Sequence, residues 1–354
     1  MRQVVFWAAV AWLSVVLPSY GVDDSTWFSQ LTPPGPAAGA SPVAQSADNG
    51  LCPECQGFGP CLQCCRVWTV DAGAVVLQRS KPGSRTLLMD AAPPTGAEVL
   101  NARDFHFGTE AGPALTLRRH FDVCSVEMRY FGVDDWSRSV GPLSTSPGIY
   151  VPFPTPYVDT DGAYQITSGY ESDLHSLELN FTRPLDDRWG FIIGYRYLDL
   201  KESLGAHMID VDVGGTTITD VGLATKNRLH GFQLGVGGEI WNVGGRFSLE
   251  GTLKAGVYDN LMRGNAWIDQ ELGTSWASAA RTHHAAFLGE LELAARYQIT
   301  RRLSVRAGYQ VTWIEGVALA ADQMSTIDPG FAAAMNTAGS PMYHGLNASL
   351  QYTW

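Results

Sequence analysis

From Trp68 to Trp354, apolar and polar residues alternate with a period of two, the pattern of strands with one oily face and one polar face. Between 246 and 258, Phe247, Leu249, Gly251, Leu253, Ala255 and Val257 occupy one face. Arg246, Ser248, Glu250, Thr252, Lys254, Gly256 and Tyr258 occupy the other. The run exceeds the roughly 5–6 residues of an ordinary strand and suits a tilted strand crossing a bilayer, which needs about 9–11. The closing residues repeat the pattern, with Leu346, Ala348, Leu350, Tyr352 and Trp354 against Asn347, Ser349, Gln351 and Thr353. Segments 303–313 and 189–197 are as regular. Weaker cases at 68–80, 105–118, 122–132, 171–183, 226–240 and 283–298 bring the count to about ten.

After the first residues, no segment is apolar over the length a membrane-crossing helix requires, so a membrane protein made from this chain crosses with strands. Charged residues are only 17% of the chain and aromatic residues 11%, yet the mean hydropathy is -0.04. Few charges, many rings and middling hydropathy fit strands that turn apolar side chains to lipid and polar ones inward. The expected fold is all-β, an antiparallel transmembrane β-barrel of roughly ten strands behind a flexible, cysteine-containing leader. A net charge of -11 argues against nucleic acid as a partner, because phosphate contacts need a basic surface.

The links between strands alternate in length. Short ones at 118–122, 183–187, 241–245 and 299–302 are interspersed with long ones at about 81–104, 133–170, 200–225, 259–282 and 314–341. Outer-membrane barrels show this alternation, with short turns and both termini toward the periplasm. Residues 66–354 form the expected barrel. Ahead of it, residues 1–21 have the form of a cleaved signal peptide: Arg2, the apolar run Val4 to Leu17, then small residues at Ser19 and Gly21. Residues 22–51, rich in Pro, Gly, Ala and Ser, form a flexible leader. Residues 52–65 hold a cysteine cluster.

With the apolar set facing lipid, the lumen receives Glu127, Arg129, Glu178, Arg196, Arg246, Glu250, Lys254, Glu290, Glu292, Arg296 and Arg306. Acids and bases are nearly balanced there, so they can pair, and a barrel this narrow is either plugged by such pairs or left with a thin aqueous path. The cysteines Cys52, Cys55, Cys61, Cys64 and Cys65 resemble paired zinc knuckles. Only five residues separate the two CxxC pairs, however, against about 15–20 in a zinc ribbon. Export favours disulfides, and Cys124, beside a short turn, completes an even set of six. No catalytic residue, metal ligand or cofactor site is expected. A rim protease would need acids and a histidine to converge, and nothing in the spacing of Asp134, Asp135, Asp159, Asp161, His207, His283 and His284 brings them together.

Aromatics near strand ends, Trp68, Tyr130, Phe131, Trp136, Trp189, Tyr197, Trp241, Trp313 and Trp354, suit the girdles at membrane interfaces. The stretches Trp68-Thr-Val-Asp-Ala-Gly-Ala, Glu127 to Trp136, Ser172 to Asn180, Gly194 to Leu198 and Arg306 to Gln310, with Asp322-Gln323, resemble the β-barrel porins of planctomycetes, porin family seven. The resemblance covers about 66–354. It implies an outer-membrane location more firmly than transport, and carries over no functional residue.

The expected function is that of a porin-like passive channel for small polar solutes, not an enzyme. The alternative is a closed structural or adhesion-type surface barrel working through its long loops. The expected partners are outer-membrane lipid and the barrel assembly machinery, which reads a terminal aromatic such as Trp354.

Overall fold

The computed structural model describes residues 67–91, 95–143, 149–152, 158–160, 163–212, 215–271, 275–326 and 334–354, and only the backbone of 158–160, 163–164 and 212. The Cys52 to Cys65 cluster, the signal segment and the leader lie outside these residues. Cys124 forms no disulfide among them.

Ten strands close a barrel: β1 (Trp68–Arg79), β4 (Thr109–His120), β5 (Ser125–Leu143), β8 (Ala163–Pro184), β9 (Trp189–Asp212), β10 (Gly215–Val243), β11 (Phe247–Gln270), β12 (Trp276–Gln298), β13 (Leu303–Glu315) and β14 (Met342–Thr353). Around the ring the order is β1, β14, β13, β12, β11, β10, β9, β8, β5, β4, and the neighbours are antiparallel. Closure runs from Thr69 opposite Thr353 to Arg79 opposite Tyr343. The N–H of Trp68 donates to the carbonyl of Trp354, and that of Trp354 to Trp68, both at 2.9 Å, so the two ends of the barrel segment seal one seam. A closed ring leaves no edge to lipid. Its outer face carries the apolar set, with Phe232, Val257 and Leu346 at 72, 65 and 60% exposure.

The short turns fall at one end, at about 121–124, 185–188, 244–246 and 299–302. In the second, Asp186 Oδ1 accepts the N–H groups of Arg188 at 2.8 Å and Trp189 at 2.7 Å. These bonds favour the charged form and hold the exposed carboxyl below the ordinary aspartate range. Gly244 and Gly245, at φ 62 and 76, supply the left-handed backbone of the third.

The opposite, hairpin end differs from the sequence expectation. The segments 200–225 and 259–282 are largely continuations of β9 to Asp212, β10 from Gly215, β11 to Gln270 and β12 from Trp276. The polarity of the two faces exchanges above the apolar band. On β9 the outward positions pass from Tyr195 and Tyr197 to Asp199 and Lys201, while the inward ones pass from Arg196 to Leu198 and Leu200. The alternation keeps its period and reverses its sense, and along the sequence that reversal looks like the end of a strand.

The wall is therefore uneven: β10 has 29 residues, while β1 and β14 have 12 each. The space above the short strands is filled by chain from the long links. Segment 86–107 contributes β2 (Thr86–Met89), β3 (Glu98–Asn101) and a 3-10 turn at Ala102–Asp104, with β6 (Ile149–Val151) and β7 (Val158–Thr160) joining β2 and β3 in a small sheet. Leu87, Leu88, Leu100, Phe105, Phe107 and Ile149 pack with Leu198, Leu200 and Leu204 of the wall into one apolar core. Phe131 and Trp136, expected in an outer aromatic girdle, are fully buried. For Trp136 the cause is a bulge after Val133, with Asp135 at φ 68, which shifts the parity of β5 by one. Trp136 Nε1 then donates to the carbonyl of Leu77 at 3.2 Å.

Candidate functional site: the lumen

Inside the apolar band, the inward positions of neighbouring strands put long charged side chains into a space a few side chains wide. Glu290 of β12 is the meeting point. Its Oε1 accepts from Arg129 Nη1 of β5 at 3.0 Å and Lys254 Nζ of β11 at 2.8 Å, and its Oε2 accepts from Arg196 Nη1 of β9 at 2.7 Å. β5 and β12 stand five places apart in a ring of ten, so the Arg129 to Glu290 bridge spans the lumen between opposite walls. Glu178, on β8, takes Lys254 at 2.6 Å and Gln233 at 2.8 Å.

The network extends in both directions. Arg306 of β13 donates to Glu292 at 2.6 Å and to Glu250 at 3.4 Å, and Arg296 reaches Glu250 at 3.1 Å. Arg129 Nη2 donates to Gln310 at 3.0 Å, Asn347 to Glu292 at 2.9 Å, and Tyr258 to Gln233 at 3.1 Å. At the side, Arg118 Nε donates to Glu127 at 2.9 Å, and Asn180 links Glu127 to Glu178. Glu178, Arg196, Lys254, Glu290 and Glu292 are all at most 3% exposed. Charges so far from water are tolerated only when paired and hydrogen-bonded, as these are.

A second barrier lies above the band. The apolar core fills the mouth, and one polar cluster stands within it. Arg79 pairs with Glu202, which also accepts Tyr170 Oη at 2.6 Å and the N–H of Ala320 at 2.9 Å. The Arg79 guanidinium lies 4.5 Å from the centroid of the Phe107 ring. A strap at 316–326 crosses here, with Val317, Ala318, Leu319, Ala320 and Gln323 buried. Several of its backbone groups are satisfied by wall side chains. Asn227 donates to the Ala318 carbonyl at 2.8 Å and accepts its N–H at 2.7 Å, and Asn260 donates to the Gly316 carbonyl at 3.1 Å. A buried loop needs such partners, since beyond the single bridge of Val317 to Gly339 its backbone has no ladder to join.

A family model described as "Putative beta barrel porin-7" matches residues 150–354. The chain belongs to that family. No curated protein sequence matches it. Among solved structures, this beta barrel porin-7 chain is similar to the outer membrane protease OmpT from Escherichia coli, with 13% identity, 81% of this chain and 97% of that chain covered, and a TM-score of 0.45. It is also similar to the toluene transporter TodX of P. putida, with 11% identity, 84% and 90% covered, and a TM-score of 0.33. Ail of Yersinia pestis, the attachment invasion locus protein, follows at 9% identity, 82% and 99% covered, and a TM-score of 0.24. With TM-scores below 0.5, these likenesses do not indicate what the porin-7 chain does.

Of the residues expected in the porin-7 lumen, Glu127, Arg129, Glu178, Arg196, Glu250, Lys254, Glu290, Glu292, Arg296 and Arg306 all join the network. Arg246 does not. It sits in the turn before β11 and is exposed. The alternation holds up to the strand's first residue, but beyond it the turn breaks the parity that would aim Arg246 inward. Sequence reasoning missed Arg118, which it assigned to a turn although Arg118 shares the parity of Thr116 and stands directly opposite Glu127. It also missed the uncharged members Asn180, Gln233, Tyr258, Gln310 and Asn347, whose positions on the polar face were the available signal. The acids and histidines weighed as a rim site pair separately on outer faces: His175 with Asp134 at 2.8 Å, His207 with Asp220 at 2.7 Å, and His283 with Asp259 at 3.4 Å. The side chains of Asp159 and Asp161 lie outside the described residues.

Proposed function

We propose that the chain is a closed outer-membrane barrel that acts as a structural or adhesion-type surface protein through its tall hairpin end. In this reading the hairpins face outward, and the short turns and the two ends of the barrel face the periplasm. Residues 1–21 direct export and are then removed, and the assembly machinery recognises the strand that ends at Trp354. The bridge from Arg129 to Glu290 carries the reading, because a path for hydrated solutes must break it, together with the pairs stacked around it. The apolar core and the strap above give the same reading a second support.

The description of the family as a porin favours the other reading, a passive channel for small polar solutes. Conductance separates the two. The refolded protein, heat-resistant in detergent, is expected to show no steady current in a planar bilayer, whereas steady channels in the unmodified protein would overturn the closed reading. Orientation has its own test. A membrane-impermeant maleimide added to intact cells is expected to label Thr216→Cys and to spare Asp187→Cys.

A further inference from the structure

The outer face of the wall changes character just past the apolar band, and it does so unevenly around the ring. Across β9 to β12 one in-register row is Tyr195, Phe232, Val257 and Phe287. Six residues further along each strand, the outward row is Lys201, Lys226, Arg263 and Arg281, which stand directly opposite one another on adjacent strands. Two outward rows lie between, and Arg228 occupies the one next to the cations, opposite Asp199. Like charges placed opposite each other across strands destabilise a sheet, and neighbouring strands are only about 4.8 Å apart.

Local acids offset only the lysine end of this row, where Asp173 of β8 stands opposite Lys201. Asp199 Oδ2 takes Lys226 at 3.4 Å and Lys201 at 3.9 Å. The side chains of Arg228, Arg263 and Arg281 have no ion pair or hydrogen bond among the described residues. On the next strand the outward charges are acidic, Glu171 and Asp173, and β5 adds Asp134. A chain with a net charge of -11 thus concentrates cations on one face of its wall.

We propose that this row binds the phosphates of lipid headgroups in the leaflet around the hairpin end, the outer leaflet if the orientation above holds. Charge and continuity both select a lipid as the occupant. Phe232 and Val257, at 72 and 65% exposure, offer acyl chains a surface on the same strands that carry the cations. Arg228 lies four residues past Phe232, which is about 13 Å along a strand and about 10 Å along the membrane normal at a tilt of about 40°. Basic side chains at such depths bend back toward the interface. A bound phosphate also relieves the repulsion built into the row.

The test is native mass spectrometry of the refolded barrel in detergent, titrated with dioleoyl phosphatidic acid or dioleoyl phosphatidylcholine. The unmodified protein is expected to retain phosphatidic acid at a concentration at least about tenfold lower than phosphatidylcholine, because each cation near an anionic surface adds to the affinity. A chain carrying Lys226→Gln, Arg263→Gln and Arg281→Gln should lose that preference. One carrying Arg188→Gln, Arg301→Gln and Arg302→Gln at the turn end should keep it. Should the first chain fail to fold, Arg263→Gln alone is expected to lower the preference. Equal retention of the two lipids by the unmodified protein would overturn the proposal, as would equal losses in the two triple variants. Displacement of phosphatidic acid by micromolar inositol hexakisphosphate would also overturn it, in favour of a soluble polyanion. Micelles have no inside or outside, so this result stands apart from the labelling test of orientation.

Discussion

Replacing Glu290 by Ala removes the carboxylate on which Arg129, Arg196 and Lys254 converge at 3.0, 2.7 and 2.8 Å. Each charge-assisted bond taken alone is worth about 1.5–3 kcal/mol, but adding three of them overstates the loss. Lys254 keeps Glu178 at 2.6 Å, Arg129 keeps Glu292 at 3.4 Å, and Arg196 keeps Ser176 at 2.9 Å and the more distant Glu178 at 3.6 Å. The remaining defect is a buried cluster with one anion too few, and breaking a buried pair costs about 3–5 kcal/mol. The assay is reversible urea unfolding of the barrel in lipid vesicles, comparing E290A with the unmodified chain at equal transition slopes. Arg246→Ala, in the exposed turn, serves as control and is expected to stay within about 0.5 kcal/mol. A loss below about 1 kcal/mol for E290A would refute the reasoning, because so small a value means that water already solvates these charges. A solvated lumen would also return the channel reading to first place.

Two further outcomes follow from the same structure. Asn227→Ala is expected to free the strap at 316–326, which hydrogen exchange reads as faster exchange at the Ala318 and Ala320 amides while the strand amides near Glu290 stay protected; unchanged exchange would show that packing alone holds the strap. Leu253→Arg, in the middle of the outward apolar row of β11, is expected to cost about 2–4 kcal/mol in vesicle unfolding. A neutral result would place that face out of contact with lipid.

The ten strands were legible in the sequence because membrane and lumen impose opposite demands on alternate residues, and the side-chain period of a strand makes that demand visible residue by residue. Segment 247–257 shows it most plainly, and the inward aim of Glu250 and Lys254 follows from parity alone. The hairpin end was not legible. Where the wall leaves the bilayer, the outer face meets water and the inner face meets folded chain, so Leu198 and Leu200 belong inside and Asp199 and Lys201 outside. The bulge before Trp136 hid a second change, because one extra residue moves the side chains from Trp136 to Val140 to the opposite face, until a second shift before Leu143.

By itself the sequence determined the barrel, its approximate strand number, its lipid face and most of the charges turned inward, because each is a local consequence of a period-two backbone between two solvents. Tertiary structure alone decided that Arg129 meets Glu290 across opposite walls, that Glu202 and Asn227 hold a strap from a distant link, and that four cations from four strands stand side by side on the outer face. These are contacts between residues 118, 161 and 91 positions apart. They depend on ring closure and on the register of neighbouring strands, which side-chain alternation within a single strand does not encode.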